Sequence, residues 1–192
     1  MKKLITTVAI GFLLCVAGAA RADRPQHASR FHARGHSILL GLDTEFGVPL
    51  GNYADANSVG LGGIVTGEVT MIDMLSATMR IGFQGHMDRT VGTVNSHVHA
   101  IPILLGTKYY IGSEREGLFG AFELGIFDLM SSVTRSPTVS ASSNDVKFGL
   151  GMGVGYQQDR WNVRLNVHSQ DVGNFSSAFM ITGGVGYQFA AL

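Results

Sequence analysis

From Trp161 to Ser169 the chain alternates apolar and polar residues without a break. Trp161, Val163, Leu165 and Val167 are apolar; Asn162, Arg164, Asn166 and His168 are polar. The final stretch, from Ala178 to Phe189, keeps the period. Phe179, Ile181, Val185, Tyr187 and Phe189 take alternate positions, with Thr182, Gly184, Gly186 and Gln188 between them. Successive side chains of a strand point to opposite faces, so each stretch predicts a strand with one apolar and one polar face. The 26 glycines argue the same way. Glycine disfavours helix interiors by about 1 kcal/mol, and on alternate strand positions it marks a curved sheet or a crowded interior.

The pattern recurs upstream. Strands are predicted over about 37–47, 59–70, 75–87, 97–111, 118–129 and 145–157, ahead of the two already named. Pro102 lies inside the fourth, and proline cannot donate to a ladder, so an irregularity is predicted there. The first, third, fifth and seventh connections are loops, among them Val48 to Ser58, Asp88 to Ser96 and the Ser/Thr-rich 131–144. The second, fourth and sixth are turns, near Ile72-Asp73, over 112–117 and at Gln158-Asp159-Arg160.

The N-terminus reads separately. Lys2 and Lys3 precede an apolar run from Leu4 to about Ala19, and Ala20-Arg21-Ala22 follows. That order is a secretory signal peptide over 1–22, cut after Ala22 or else Ala19. The run is short for a spanning helix of about 20 residues. Leu13-Leu14 before Cys15 argue against lipid attachment. Cleavage removes the only cysteine, so no disulfide stabilises the mature protein. It also leaves 11 Lys+Arg against 14 Asp+Glu, and that mildly acidic balance offers nucleic acid no basic face. Residues 23–36, with Arg24, His27, Arg30, His32 and Arg34, read as a flexible basic segment.

Eight two-faced strands can turn their apolar side inward, as in a soluble barrel, or outward into lipid. Three observations favour lipid. Asp43, Glu45, Glu68, Arg80, Lys108, Glu123, Lys147 and Arg164 all fall on the polar face. An Arg or Lys on the lipid face at mid-depth would cost about 2–4 kcal/mol. Aromatic residues gather towards strand ends. Tyr109, Tyr110, Phe119, Phe122, Tyr156, Trp161, Tyr187 and Phe189 lie near the turns, and Phe46, Phe83, Phe127, Phe148 and Phe179 near the loops. Two belts at two interfaces are expected of rings at a headgroup boundary. Eight strands also suffice to close a sheet that may have no open edge in lipid. The expected fold is all-β: an eight-stranded antiparallel up-and-down transmembrane β-barrel over 37–189, after the signal peptide.

Three segments carry a resemblance. Pro49-Leu50-Gly51-Asn52-Tyr53-Ala54-Asp55 is similar to the first loop of small outer-membrane β-barrel proteins of the OmpA/OmpX-like kind. Residues 101–110, Ile-Pro-Ile-Leu-Leu-Gly-Thr-Lys-Tyr-Tyr, resemble their fourth strand. Val185-Gly186-Tyr187-Gln188-Phe189 resembles their C-terminal strand, although Ala190-Ala191-Leu192 follows here. The resemblance implies a bacterial outer-membrane protein, with Tyr187 and Phe189 read by the barrel-insertion machinery. Its partners would be outer-membrane lipid and lipopolysaccharide, as a monomer, with no cofactor.

The candidate site is the interior. Asp43, Glu68, Arg80, Glu123, Lys147 and Arg164 are expected to form a polar network that fills the lumen. The leading function is then structural or surface-interacting. The second reading is a small pore for ions or small solutes, kept open by the room that inward glycines leave. The third is a lipid A-modifying enzyme. Lipid A deacylase barrels resemble this design and carry His-x-Ser, whose spacing puts base and nucleophile on one face. Here Ser169 directly follows His168 and Gln170 holds the serine's place, so the dyad is broken. No metal site is expected: His97 and His99 share one face, and His86 falls on the other by parity. The loop 131–144 could contact a receptor or phage.

Overall fold

The computed structural model describes residues 38–192, apart from 113–114 and 137–138. The signal peptide, cut site and basic segment expected before residue 37 lie outside the described residues. The described chain runs β1 (Ile38–Pro49), a single helical turn α1 (Tyr53–Ala56), β2 (Gly60–Ile72), β3 (Leu75–His86), β4 (Arg89–Val91) and β5 (Val94–Ile111). It continues through β6 (Gly117–Ser136), β7 (Val139–Gln158), β8 (Trp161–Ser169), a short 3-10 segment (Val172–Ser177) and β9 (Phe179–Ala191).

Every strand pairs antiparallel with its neighbour, except that β3 skips β4 and pairs with β5, while β9 returns to pair with β1. Eight strands therefore form a closed ring, and β4 hangs on β5 outside it as a small hairpin. At one end the turns are tight. Asp73-Met74 joins β2 to β3, and Asp159-Arg160 joins β7 to β8, with Asp159 at φ 50°. The longer connections, α1 included, lie at the other end.

The two faces are inverted relative to a soluble protein. Leu42, Leu105 and Val154 on the outside are 49%, 57% and 61% exposed, whereas Arg80 and Glu123 inside are 1% and 2% exposed. Only a solvent that prefers hydrocarbon makes that arrangement favourable. The outer aromatics stand at both ends: Tyr109, Phe122, Trp161 and Phe189 beside the turns, Phe46, Phe83 and Phe148 beside the loops. Three rings expected in these belts are instead buried in the lumen, namely Tyr110, Phe119 and Phe127. Their strand parity points them inward, and parity overrides their closeness to a strand end.

Two further corrections concern the loop end. Residues 131–144 are not an irregular loop, because β6 and β7 continue their ladder from Ser131↔Ser143 to Ser136↔Val139. Thr and Val favour strands, and the Ser131 hydroxyl donates to the Ser143 carbonyl at 3.2 Å. Likewise 88–96 contains the β4–β5 hairpin. Pro102 does mark an irregularity. The β3–β5 ladder lapses between Ile81↔Ile103 and Gln84↔Ala100, whereas β5–β6 pairing passes Pro102 unbroken.

The chain end is tied in. Leu40 pairs with Ala190 and Gly41 with Gln188, so Phe189 is the extra residue of a bulge. Beyond it, Ile38 and Leu192 exchange backbone hydrogen bonds of 3.1 and 2.8 Å. Ala190 and Ala191 thus extend the closing strand, and Leu192 is bonded just beyond it.

Candidate functional site in the barrel lumen

Inward side chains from opposite walls meet at mid-barrel. The Arg80 guanidinium on β3 donates to Asp43 at 3.3 Å and to Glu123 at 3.2 and 3.4 Å, and makes a short contact with Glu45. Arg164 on β8 donates to Glu123 at 2.6 Å and to Asn166 at 2.9 and 3.1 Å, with Asp43 3.8 Å away. Gln84 donates to Glu45 at 3.3 Å, and Asn166 to Glu45 at 3.4 Å and Thr182 at 3.3 Å. Three carboxylates face two guanidiniums, all under 3% exposed.

A second cluster lies towards the turns. Lys108 donates to Glu68 at 3.0 Å and the Tyr110 hydroxyl to the same carboxylate at 2.8 Å. The Lys108 ammonium stands 4.6 Å from the Phe119 ring centre, within cation–π range. Between the clusters a narrow cavity is lined by Asp43, Glu68, Arg80 and Lys108 among others, with room for roughly one water.

Towards the loops the lumen changes character. Phe127 packs with Ala100 and Leu104 as an apolar wall. Its ring lies edge-on to His168, whose Nε2 is 3.2 Å from the Thr182 hydroxyl. Above them α1 turns Tyr53 into the mouth, edge-on to the His86 ring at 5.7 Å. Asn57 fastens this cap: its amide donates to the Tyr53 carbonyl at 3.3 Å, and its oxygen accepts from the Val98 backbone at 2.6 Å. Burial pushes the Tyr53 hydroxyl above its ordinary pKa, a rise that Gln170 opposes.

Of the six residues expected in the network, Asp43, Glu68, Arg80, Glu123 and Arg164 are inside, in two clusters rather than one. Lys147 is not. It shares their parity but sits at the loop-end rim, 36% exposed, paired with Asp145 at 2.9 Å and Asp171 at 3.7 Å. The strand runs on past the lumen, and parity fixes a face, not a depth. The expected network omits Glu45, Gln84, Lys108, Asn166, His168 and Thr182, although their parity already puts them on the polar face.

The inward glycines of β7 are not open space. On β7 a side chain at Gly149 would strike Phe127, at Gly151 His168, at Gly153 Asn166 and at Gly155 Phe119. Each glycine is a notch filled by a large residue from the next strand.

Ser169 donates to the Asp171 carbonyl at 3.1 Å and does not face His168 as a nucleophile would. His97 bonds Asp88 at 2.6 Å and stacks on His99 at 4.5 Å, while the His86 ring points into the mouth. Among the described residues no three His, Cys, Asp or Glu side chains converge as for a metal ion. Phe189 is exposed on the outer wall, and Tyr187 leans on Trp161 at 4.8 Å while its hydroxyl accepts from Arg160 at 3.3 Å.

A closed ring of eight antiparallel strands, apolar outside and charged inside, is a transmembrane β-barrel of the outer-membrane type. Solved structures of that class are similar to it in fold. Ail, the attachment invasion locus protein of Yersinia pestis, matches with a TM-score of 0.59 and 10% identity over 81% of this chain and 100% of its own. Neisserial surface protein A matches with a TM-score of 0.51 and 10% identity over the same shares. The N-terminal barrel domain of Pseudomonas aeruginosa OprF gives 0.50 and 13%, again over 81% and 100%. No protein-family model matches the sequence, and no curated protein matches it.

Proposed function

We propose that this chain is an integral protein of the bacterial outer membrane that performs no catalysis and conducts no solute. It serves as a structural and surface-interacting barrel. The observation that carries this reading is the interlocked lumen. Ion pairs fill its middle, Tyr110 and Phe119 its turn end, and Tyr53 with His86 its mouth. Polar groups buried this deeply and bonded to one another form a structural plug. In this reading a signal peptide takes the chain to the membrane, and the insertion machinery reads Tyr187 and Phe189. The monomer then meets lipid and lipopolysaccharide through its outer wall. The hairpins of β4–β5 and β6–β7 form the surface offered outward.

Single-channel recording of the folded protein in a planar bilayer tests it. The expected result is no steady conductance from the native chain. Reproducible unitary steps would favour the small-pore reading. Lipid A of unchanged mass in cells with and without the protein is the expected result for a barrel without lipid-modifying activity.

A further inference from the structure

We propose that the seam between β3 and β5 at the mouth is an acid-operated hinge, in which protonation of His99 frees α1 from the rim of the barrel. The β3–β5 ladder ends at Gln84↔Ala100. Continued in that register, His86 would face Val98. That rung is missing, and side chains hold both of its N–H groups instead. The His86 N–H donates to His99 Nδ1 at 3.2 Å, and the Val98 N–H donates to Asn57 Oδ1 at 2.6 Å. Two side chains thus stitch a seam that the backbone leaves open.

The two stitches differ in chemistry. An amide oxygen accepts at any pH, whereas an imidazole nitrogen accepts only while it carries no proton. A backbone N–H can only donate, so this bond fixes the His99 tautomer: Nδ1 is bare and the proton is on Nε2. The next proton goes to Nδ1, where it meets the His86 N–H head-on. The new charge also stands beside His97, whose ring stacks on His99 at 4.5 Å.

The groups around His99 set the direction. Phe83 packs on its ring at 5.6 Å. Asp88, in the link between β3 and β4, bonds His97 Nδ1 at 2.6 Å. On β6 the residue opposite His99 is Met130, and Asp128 faces Ile101; on β4 Arg89 faces Ser96. Burial first, then His97, hold the His99 pKa below its ordinary value, against the pull of Asp88. The stitch is therefore whole above a pH of about 6.5 and is lost as pH falls below it.

Asn57 carries that loss to α1. Its backbone and side-chain N–H groups both donate to the Tyr53 carbonyl, at 3.1 and 3.3 Å. The residues after it are tied to the end of β3: the Ser58 N–H donates to the Met87 carbonyl at 3.3 Å, and the Met87 N–H to the Val59 carbonyl at 3.0 Å. Asn57 thus spans the seam, with its chain neighbours on the β3 side and its side chain on β5. A seam that opens breaks the bond to Val98 and unfastens the turn.

The test is amide hydrogen exchange of the full barrel in lipid nanodiscs, read residue by residue by NMR. Protection factors are compared at pH about 7.5 and about 5, on either side of the ordinary histidine pKa. In the native chain the His86, Val98 and Asn57 amides are expected to lose protection together at the lower pH, by roughly two- to tenfold, the worth of one hydrogen bond. In His99→Gln, whose amide accepts at both pH values, all three are expected to stay flat. Asn57→Ala is expected to expose the Val98 amide at both pH values while the His86 amide still titrates. Should His99→Gln fail to fold, His97→Gln decides: without the neighbouring imidazole the midpoint is expected at higher pH, and an unmoved midpoint overturns the hinge. No change in the native chain, a response of the His86 amide alone, or a pH dependence kept by His99→Gln would also overturn it. Boiled against unboiled gel mobility reports the closed barrel separately, so a failed hinge leaves the outer-membrane reading standing.

Discussion

The middle and the mouth of this lumen are built on different terms. In the middle every charge faces an opposite charge, and Arg80 alone spans contributions from β1 and β6. In the mouth a phenol, an imidazole, a thioether and an amide lie against one another with few well-formed hydrogen bonds: among the described residues the Tyr53 hydroxyl and the Gln170 side-chain amide make none within ordinary geometry. A network of buried charges is rigid because removing any member strands the rest. A loosely bonded cluster under a four-residue turn carries no such penalty.

Replacing Arg80 should break the comparison most severely. Arg80→Met removes the ion-pair partner of Glu45 and one of the two partners of Asp43 and of Glu123, and leaving a buried charge unpaired costs about 3–5 kcal/mol. Urea unfolding in detergent should show that loss, whereas Met180→Leu should stay near the native midpoint. Equal losses in both would mean that the mouth is as structural as the middle.

The boundary between the regions is Gly151. The three atoms nearest a Cβ there all belong to His168, the closest being Nδ1 at 2.5 Å. Overpacking of this kind costs about 1–3 kcal/mol. In the double variant with His168→Ala the loss should be smaller than the sum of the singles, measured as a coupling energy. Simple additivity would show that the notch does not exist for His168.

The smallest effect is a pH dependence at the mouth's outer wall. His99 Nδ1 accepts from the His86 backbone N–H at 3.2 Å, which requires a neutral ring. Burial first, then the stacked His97, hold its pKa below the ordinary value, with Asp88 pulling the other way. A histidine depressed on folding stabilises fully above its unfolded pKa of about 6.5 and loses that contribution as pH falls below it. The groups facing it are His97, Asp88 and the backbone of His86. Protection of the His86 amide against hydrogen exchange should therefore fall below that pH in the native chain and be flat with pH in His99→Gln.

The sequence made the middle legible and the mouth almost invisible. Period-two parity placed Asp43, Arg80, Glu123 and Arg164 on one face, and a closed ring forces one face together. Parity could not give depth, so Lys147 was placed in the lumen rather than on its rim. Nor could it give register: that Gly155 opposes Phe119, and that Gly149 opposes Gly125 within reach of the Phe127 ring, follows from pairing of neighbouring strands. The inward glycines therefore read as open space. The mouth depends on α1, a single turn too short for any periodic signal, and on His86 and Met180, which lie 94 residues apart.

The joining of β9 to β1 also sets the order of assembly. Thr44 bonds to the Val185 carbonyl across 141 residues, and the central ion pairs join Arg80 to Asp43 and Glu123 and Arg164 to Glu123 across 37, 43 and 41. Contacts this distant form late and together. A half-built sheet would expose its charged face to hydrocarbon, so no partly inserted form is a resting point. Ring closure and membrane crossing must be one kinetic event, and the thirteen residues of β9 are its latch.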